Sequence, residues 1–430
     1  MMSKVGALAG YGLYNFSVSR IYRPSSLDEL KAAMAECRAR GENVVFRGAG
    51  RSYGDAALNA RGPVIELTGM KEIKSFDEAT GVITAEAGAT IEDLWRFAIP
   101  RGLWPPVVPG TMFPTLGGAL AMNIHGKNNW KMGTLGEHVQ KLAVLRPDGR
   151  VVWIGKDDPE LLEAISGWRR PCPIVEVALK LKKVETGYLD VTAIATRNLS
   201  DSLTRLDEAK EKYEYLVGWL DAFAGGASMG RGVLHFANVH PAREGEASGL
   251  SEAEQLRDIE AGQWLPVPLL LFGLKTMAFD GGMRLVNAAK FAQSRFQGTH
   301  TYRQSLVAYS FLLDYIPGWN GIYRPGGFIQ YQLFIPKEKA EEVFSHVLRL
   351  QQEAGVINYL TVMKRHRPDR FRTTHAVDGF SLAMDFPVTA RNSSRLLGLC
   401  RAFDALVKDS GGRVYKAKDC VNSVERLAAS

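Results

Sequence analysis

The sequence predicts an α+β protein of two domains, and three observations lead to this fold class. The chain has 430 residues, of which 46% are hydrophobic and 23% charged, and it exceeds the length at which one hydrophobic core usually keeps growing. Residues 1–185 alternate short strand and helix patterns. The later residues carry wider, aromatic-rich strands and long amphipathic helices, which predict an antiparallel sheet with helices on one face.

The first part of the chain is punctuated by helix caps and turn residues. Ser26 and Glu29 predict a capping box for the helix in RPSSLDELKAAMAECRARG, which Gly41 ends. The strand NVVF then leads directly into the glycine-rich FRGAGRSYGD. The other predicted elements are strands in 63–67, 81–88 and 173–184, a helix capped by Thr90 and Asp93, and a hairpin in 141–155.

The second part begins near residues 184–195, where KKVETGYLD interrupts the apolar rhythm. Strands are predicted in EYLVGWLDAF, GRGVLHFANV, QSLVAYSFLLDYIPGW and GFIQYQLFIP. Long helices are predicted in KEKAEEVFSHVLRLQQEAG and SSRLLGLCRAFDALVKDSGG, each of which ends near glycine.

Charge and cysteine content restrict the classes of function. The net charge of +7 and the pI near 9.1 suit a phosphate-bearing ligand, a polyanion or an acidic membrane surface. The basic residues are scattered and match no nucleic-acid motif, so a nucleic-acid binder is the least favoured hypothesis. Because the four cysteines have no metal-binding spacing, we expect reduced thiols and no metal: Cys37, Cys172, Cys400 and Cys420.

The most apolar run, LPVPLLLFGL (265–274), is too short to cross a bilayer. One interpretation is a buried strand or helix. The other is a mobile apolar loop beside a greasy substrate or a membrane.

Two glycine-rich stretches carry the functional signal. In FRGAGRSYGD, Gly48 and Gly50 let backbone amides approach a phosphate, and Arg47 and Arg51 add positive charge. An ordinary tight loop explains this stretch equally well. The second stretch, PGTMFPTLGGALAMNIHGKNNW (109–130), combines glycines with small apolar residues that can lie flat against a planar group. The pair suits a cofactor with a pyrophosphate at one end and a ring at the other.

Three motifs in order, RGAGRSYGD, PGT…TLGGALA…NIHGKN and GGRVYKAKD, resemble the vanillyl-alcohol-oxidase type of FAD-dependent oxidoreductases. The similarity is greatest to the branch of decaprenylphosphoryl-β-D-ribose oxidases, whose reaction serves cell wall polysaccharide biosynthesis. It implies a two-domain FAD-binding (PCMH-type) fold with an antiparallel-sheet substrate cap. Residues 1–185 would form the FAD-binding domain and 186–400 the cap, and 401–430 would return to the flavin site.

The resemblance also implies the ligand-binding residues. The cofactor-binding residues would be Arg47, Gly48, Ala49, Gly50, Arg51, Ser52, Tyr53, Gly110, Thr111, Thr115, Gly117, Gly118, Asn123, His125, Gly126, Asn128, Ile174 and Tyr415. The substrate-binding residues would be Lys127, Gln330, Gln332, Lys364 and Lys418. Some members attach FAD through a histidine in the first loop, where this chain has Arg51-Ser52, so we expect non-covalent FAD.

The catalytic residues implied by the resemblance are Lys418, His125 and Tyr53. Oxidation of a secondary alcohol needs a hydride acceptor and a base for the hydroxyl proton. Lys418 would be that base, or a cation that stabilises developing negative charge. His125 would be a second acid or base, or a hydrogen-bonded wall residue, and Tyr53 would order the flavin or touch the substrate.

Gln330 and Gln332 alternate along one strand, which places both amides on one face, suited to sugar hydroxyls or to solvent. Lys364 would suit a phosphate group or belong to a surface basic cluster.

The chain departs from the family pattern in three places. It has ISGWRRPCPIV where relatives carry a glycine-rich passage, it has Ala383 where the closest branch has cysteine, and relatives continue beyond Ser430. The first departure predicts different backbone amides or a different shape near the adenine side, which would change FAD affinity, and the second predicts a different pocket. The third fits a natural short form, a frameshifted product or a fragment with impaired flavin retention.

The predicted function is oxidation of a secondary hydroxyl of a sugar or lipid-linked sugar phosphate to a keto sugar. A short-chain keto-reductase would be the partner, and the location would be the cytoplasm, peripheral at the inner membrane. The alternatives are an aldonolactone or alditol oxidase that uses O₂, similar to D-arabinono-1,4-lactone oxidase, and a non-catalytic flavin-binding homologue.

Overall fold

The structure of the protein, a computed structural model, describes residues 2–167, 172–262 and 266–419. Trp168–Pro171 of the altered segment, Leu265 of the apolar run and Cys420 lie outside these ranges. The strands are β1 Lys4–Ala9, β2 Phe16–Tyr22, β3 Val45–Arg47, β4 Pro63–Glu66, β5 Ile73–Asp77, β6 Val82–Glu86, β7 Leu103–Trp104, β8 Val139–Leu145, β9 Val151–Gly155, β10 Ile174–Lys180, β11 Lys182–Lys183, β12 Tyr188–Thr196, β13 Tyr215–Leu220, β14 Gly232–Val239, β15 His300–Ser305, β16 Phe328–Pro336, β17 Leu360–His366, β18 Gly379–Pro387 and β19 Arg413–Val414. The helices are α1 Leu27–Ala39, α2 Ile91–Ala98, α3 Leu116–Ala121, α4 Asn129–Met132, α5 Pro159–Ala164, α6 Leu199–Ala209, α7 Glu252–Gly262, α8 Val267–Met277, α9 Asp280–Gln297, α10 Leu306–Ser310, α11 Lys337–Glu353 and α12 Ser393–Asp409.

The predicted helix caps of the first part are present, with one difference. Thr90 and Asp93 form a complete capping box on α2. At α1 the Ser26 hydroxyl accepts from the Glu29 amide at 3.3 Å, but the Glu29 carboxylate accepts from the amide and hydroxyl of Ser25. The reciprocal half of the α1 box is therefore made one residue earlier than predicted.

Two sheets organise residues 1–185. The first has the order β1-β2-β4-β3, in which β2 and β3 run parallel to β4. The second, β5-β6-β10-β8-β9, is antiparallel and includes the predicted hairpin as β8 and β9. Helices α2 and α3 bury their apolar faces in the core beside the second sheet. Strand β3 delivers the chain into the first glycine-rich loop, as the sequence predicts.

The later residues build one antiparallel sheet of eight strands, in the order β15-β12-β14-β13-β17-β18-β16-β19. Alternate side chains face α6, α11 and α12 on one side, and apolar residues from both layers form a shared core there. The other face is partly covered by α9, where Phe291 packs against Trp219 and Val233. The chain thus combines helices with antiparallel sheets. In this region helices lie on both faces of the sheet, and not on one face as the sequence predicts.

Two sequence-based expectations are corrected. QSLVAYSFLLDYIPGW was expected to be a strand, but β15 ends at Ser305 and α10 follows. The cause is the Ser305 hydroxyl, which accepts from the Ala308 amide at 3.2 Å and caps the helix. The apolar run forms α8 from Val267 onward, and this helix is not buried, since Leu269 is 54% and Phe272 67% exposed.

Among the helices of the described ranges, none has both the length and the apolar character needed to span a membrane.

Candidate active site

A cavity of about 550 Å³ lies between the glycine-rich stretches and the face of the eight-stranded sheet opposite α11 and α12. The structure brings most of the sequence-predicted site residues to its wall. These are Gly48, Ala49, Gly50, Arg51, Ser52, Tyr53, Gly110, Thr111, Thr115, Gly118, His125, Lys127, Gln330, Gln332, Lys364, Tyr415 and Lys418.

Arg47 does not line the cavity. Its guanidinium donates to the carbonyl groups of Ala9 and Ala57 and lies 4.0 Å from Glu66. It also fills the space beside Gly50, where a Cβ would meet Arg47 Nη2 at 2.0 Å. Arg47 therefore supports the loop from below, and this corrects the expectation that it contacts the pyrophosphate.

The other predicted cofactor residues outside the cavity wall serve packing or internal hydrogen bonds. A Cβ on Gly117 would meet Ala87 Cβ at 2.8 Å, so this glycine brings α3 close to the neighbouring backbone. Asn123 donates to Thr134 and accepts from the Gly136 amide. Three residues remain. A Cβ on Gly126 would meet the Asn128 side chain, and the Asn128 side-chain amide donates to the Pro106 carbonyl. Ile174 is a core residue of β10.

The loop 48–52 presents unused hydrogen-bond donors to the cavity. The amides of residues 49–52 donate to no acceptor within the described ranges, and the buried Nε of Arg51 also has no partner there. The Arg51 guanidinium is held over the Phe113 ring at 4.7 Å. Gly48 is required because a Cβ would meet Thr115 Oγ1 at 2.1 Å. This wall has the donors that a phosphate group needs.

A second wall comes from residues 412–419, which run along the edge of the sheet. Strand β19 pairs with β16, and the Asp419 amide donates to the Gln330 carbonyl at 2.9 Å. The Tyr53 amide donates to the Ala417 carbonyl at 2.9 Å, which ties this segment to the glycine-rich loop. These bonds place Tyr415 and Lys418 in the cavity wall.

Lys418 is the cavity residue best prepared for proton transfer. Its Nζ lies 3.7 Å from the centroid of the buried Tyr53 ring. Burial lowers the pKa of Lys418 from 10.5 to about 7, against the opposing effect of Asp385. An amine in this state can accept a proton near neutral pH. For Tyr53, burial raises the pKa of the phenol well above its ordinary value, which keeps it protonated.

Asp385, a residue that sequence reasoning missed, is the carboxylate that acts electrostatically on Lys418. It is 1% exposed on β18, and its Oδ1 accepts from the Gln330 amide group, while the buried Oδ2 has no partner among the described residues. Burial raises the pKa of Asp385 to about 7. The pair can therefore hold or release a proton next to the cavity. The Asp419 side chain holds the sheet edge in place, since its Oδ2 accepts from the backbone N–H of Gln330 at 2.9 Å.

His125 lies in a group of three buried histidines, here called the histidine cluster, with His366 and His375. The side-chain amide of Gln332 donates to Nε2 of His125 at 3.2 Å, and Nδ1 of His125 has no partner in the described structure. Burial lowers the pKa of all three imidazoles, so they are neutral at pH 7. His366 and His375 gave no sequence signal, since each is an isolated histidine in a polar stretch.

The lysines of the other cavity walls are held differently. Lys127 donates to the Tyr309 carbonyl, and its ammonium lies 4.3 Å from the centroid of the Tyr309 ring. Lys364 lies on β17 opposite Ser381, and burial lowers its pKa to about 8.

Several other cavity residues were also missed from the sequence. Some lie on β13, β14, β17 and β18, and tracing one face of those strands would have found them: Val217, Trp219, His235, Leu360, Val362 and Ser381. Others come from helices α9 and α10 and the segment after α10, which follow no strand periodicity: Lys290, Ser310, Leu312 and Leu313. The Leu312–Leu313 segment is fixed by Asp314, which accepts at 2.7 Å from both the Thr111 hydroxyl and the Met112 amide.

Comparisons with known proteins agree with this geometry. Residues 18–155 match a family described as an FAD binding domain. The chain is 29% identical, over 98% of its length and 90% of the relative's, to decaprenylphosphoryl-beta-D-ribose oxidase of Mycolicibacterium smegmatis. It is 28% identical to L-gulono-1,4-lactone dehydrogenase of Mycobacterium tuberculosis over 46% of each chain.

The residues present fit FAD. The cavity has one donor-rich wall, in which the free amides and the orphaned Arg51 Nε can receive a pyrophosphate, and glycines that let this group approach. The opposite walls carry the neutral imidazole of His125 and the Lys418 amine. The chain is therefore an FAD-dependent oxidoreductase, with an FAD binding domain matched over residues 18–155 and similarity to decaprenylphosphoryl-beta-D-ribose oxidase over nearly its whole length.

Proposed function

We propose that the protein oxidises a secondary hydroxyl of a sugar, or of a lipid-linked sugar phosphate, to a keto sugar. The observation that carries the proposal is Lys418, an amine of lowered pKa that lines the same cavity as the donor-rich loop and two glutamines. The similarity to decaprenylphosphoryl-beta-D-ribose oxidase over nearly the whole chain supports this substrate class.

The cofactor would be held without a covalent bond. The amides of 49–52 and Arg51 would bind its pyrophosphate, and the stretch from Gly110 to Gly118, with His125 and Tyr415, would line the rest. Non-covalent binding is supported by Arg51-Ser52 in the loop, since neither side chain forms the linkage that a histidine makes in some members. When bound, FAD supplies the acceptor for the substrate hydride.

Lys418 would act as the base. Its neutral amine takes the proton of the substrate hydroxyl as the hydride leaves the carbon that bears this hydroxyl. The ammonium that results is stabilised by the Asp385 carboxylate and by the Tyr53 ring face. His125 would be a wall residue whose orientation the Gln332 amide fixes.

Gln330 and Gln332 would bind the sugar through their side-chain oxygens. The amide nitrogen of Gln330 donates to Asp385, and that of Gln332 contacts His125 and donates to Ser381. Because these donors are engaged, the oxygens remain to accept from sugar hydroxyls. The imidazole of His125 and the two glutamine amides are neutral, so they add no charge beside the reacting hydroxyl.

The two-domain arrangement belongs to this proposal. Residues 1–185 and the segment after residue 400 would form the flavin domain, with 186–400 as the substrate cap. The keto sugar product suits a short-chain keto-reductase as the next enzyme, because such enzymes reduce ketones to secondary alcohols.

Peripheral contact with a membrane is a further part of the proposal. Helices α8 and α9 expose large apolar side chains and carry more basic than acidic residues, a combination that suits an anionic lipid surface. The exposed apolar residues are Leu269, Phe272, Phe279, Leu285 and Phe296. Co-sedimentation with phosphatidylglycerol vesicles should fall in Phe272→Ser.

The test is the visible absorbance spectrum of the purified protein, before and after acid precipitation and then during anaerobic addition of polyprenylphosphoryl ribose. We expect flavin bands that move to the supernatant and that bleach with this substrate. Lys418→Ala should keep the bands and lose the bleaching, whereas Lys416→Ala, an exposed neighbour, should bleach normally.

Other outcomes overturn parts of the proposal. Bands that stay with the precipitate contradict non-covalent binding. Bleaching by L-gulono-1,4-lactone alone, with peroxide formed in air, favours the lactone or alditol oxidase. A protein that takes up FAD but bleaches with neither substrate favours the non-catalytic homologue.

A further inference from the structure

We propose that His366 is a positioning residue that, through the hydroxyl of Ser381, fixes which end of the Gln332 amide faces the cavity. The amide oxygen would face the substrate, and the amide nitrogen would face the protein. The inference rests on the proposed function and adds a rule of specificity to it. This part of the wall would bind hydroxyl groups, which can donate, in preference to groups that can only accept a hydrogen bond.

Four side chains from different elements form a continuous chain of contacts at this wall. Nε2 of His366 on β17 lies 2.7 Å from Oγ of Ser381 on β18. The side-chain nitrogen of Gln332 on β16 lies 3.3 Å from the same Oγ and 3.2 Å from Nε2 of His125. His366 is fully buried, and of these four residues it alone does not line the cavity. It can therefore act on a substrate only through its neighbours.

The charge state of the imidazoles limits the hydrogen bonds that this chain of contacts can form. Burial lowers the pKa of His125 and of His366, and the nearby ammonium of Lys364 lowers both further. Each ring is therefore neutral at pH 7, with one nitrogen that donates and one that accepts. The Ser381 hydroxyl has a single proton to donate and two lone pairs that accept.

A neutral His366 that accepts at Nε2 takes the single proton of the Ser381 hydroxyl. The oxygen of Ser381 then faces Gln332 with lone pairs alone, so it can accept from the amide nitrogen but has nothing to donate to the amide oxygen. The second N–H of the Gln332 nitrogen is left for Nε2 of His125, which places the proton of His125 on Nδ1. Among the described residues, no polar group reaches Nδ1 of either ring, so no hydrogen bond there holds the opposite tautomers.

The Gln332 oxygen is the group that remains for the substrate. Gln330 lies on the same face of β16, about 7 Å along the strand, and its side-chain nitrogen donates to Asp385. The two amides therefore offer acceptors, and no donors, to the cavity. A sugar hydroxyl can donate to either oxygen. A carbonyl oxygen or a fluorine at the same place would leave that acceptor unpaired, which weakens binding.

The first test determines the tautomer of His125 and needs no substrate. Long-range ¹H–¹⁵N NMR spectra of the FAD-loaded, histidine-labelled protein distinguish a proton on Nδ1 from a proton on Nε2. We expect Nδ1–H for His125 in the wild type. His366→Phe should shift His125 toward Nε2–H, because the freed Ser381 hydroxyl can donate to a reversed Gln332 amide. His366→Gln keeps an acceptor and should keep the wild-type tautomer.

Two more variants strengthen this test. Ser381→Ala removes the middle of the chain of contacts and should shift the tautomer of His125 as His366→Phe does, so it decides the outcome if His366→Phe fails to fold. His346→Phe changes an exposed histidine of α11 and is the matched control, which should leave His125 unchanged. Thermal unfolding shows whether each variant is folded.

The second test measures specificity by calorimetry. The FAD-loaded protein is titrated with methyl β-D-ribofuranoside and with its monofluorinated analogues, in each of which fluorine replaces one hydroxyl. The wild type should bind at least one analogue with a Kd about tenfold or more above that of the parent sugar, as for loss of one buried hydrogen bond. This ratio should fall toward one in His366→Phe and stay high in His366→Gln.

Other outcomes overturn the inference. An Nε2–H tautomer in the wild type, or an Nδ1–H tautomer that persists in both His366→Phe and Ser381→Ala, would show that His366 does not set the orientation of Gln332. Equal affinity of the wild type for the parent sugar and every analogue would refute the rule of specificity. The expected tautomer shift in a protein that binds and oxidises no sugar would leave the role of His366 in place and count against the proposed function.

Discussion

Replacing Asp385 by asparagine tests whether Lys418 acts as a neutral base. At the ordinary lysine pKa of 10.5, roughly one amine in 3,000 is neutral at pH 7. Burial lowers the pKa of Lys418 to about 7, so that about half are neutral at that pH. The Asp385 carboxylate works against this shift, because a nearby negative charge favours the ammonium.

Asp385→Asn should therefore lower the pKa of Lys418 further. A nearby opposite charge favours the ammonium, so the midpoint of the rise of activity with pH should move from about 7 to a lower pH. At pH 7, where Asp385 is partly ionised in the wild type, flavin reduction should be faster in the variant than in the wild type. Asp385→Glu keeps the charge and should keep the midpoint near that of the wild type.

The assay is the rate of anaerobic flavin bleaching at saturating substrate, measured as a function of pH. Asp148→Asn, which changes an exposed carboxylate in the turn between β8 and β9, is the matched control. Thermal unfolding and the flavin spectrum show whether each variant is folded and loaded. A midpoint that stays in place or moves upward in Asp385→Asn, or a rate that falls as Lys418 loses its proton, would refute the base assignment.

Three further predictions follow from the same geometry. Gly48→Ala should weaken FAD binding at least tenfold in a titration, because the new Cβ would lie 2.1 Å from Thr115 Oγ1 and displace the loop, whereas Gly155→Ala, with nothing within 4 Å, should bind normally. Asp314→Ala should lower the free energy of unfolding by about 2 kcal/mol, since it removes two hydrogen bonds and leaves a backbone amide unpaired; an unchanged melting temperature would contradict this. Acidification from about pH 6.5 to 4.5 should destabilise the protein by about 1.4 kcal/mol per pH unit, measured by urea unfolding. In that window the unfolded chain binds four more protons at the histidine cluster and His235. The native Asp314, Asp385 and Asp419, with pKa values raised to about 6, 7 and 7, hold three more, which leaves a net uptake of one on unfolding. Stability that rises on acidification would show that these imidazoles are not buried and neutral.

Local signals in the sequence predicted local features well. The caps at Ser26 and Thr90 and the hairpin at β8 and β9 depend on contacts between near neighbours, and each is present in the structure. The strand expectation for QSLVAYSF was wrong, because bulky apolar residues suit a strand and a buried helix equally, and the Ser305 cap decided the outcome. The sequence left open whether the apolar run of α8 is buried or exposed, since hydropathy does not say what covers a helix.

The candidate site shows the same division. Glycines and charged residues in short motifs placed most of the cavity wall, but Arg47 looked like a ligand only because its sequence position is adjacent to the loop. Its direction is set by the carbonyl groups of Ala9 and Ala57, which arrive from other elements. Asp385 and Lys290 were missed because their significance comes from residues that are distant in the sequence. No local pattern encodes such contacts.

The hydrogen bonds that join the glycine-rich loop to residues 415–419 also constrain the order in which the protein matures. The Asn15 and Asp419 side chains that meet beside this loop are separated by 404 residues of sequence, and contacts of such separation form late because the loop-closure entropy must be overcome first. We therefore expect the glycine-rich loop and Lys418 to come together late in folding, after β16 has joined the eight-stranded sheet. A partly folded chain would have its glycines in place yet lack both Lys418 and one wall of the cofactor site. Such an intermediate would be unable to start chemistry with a loosely held flavin.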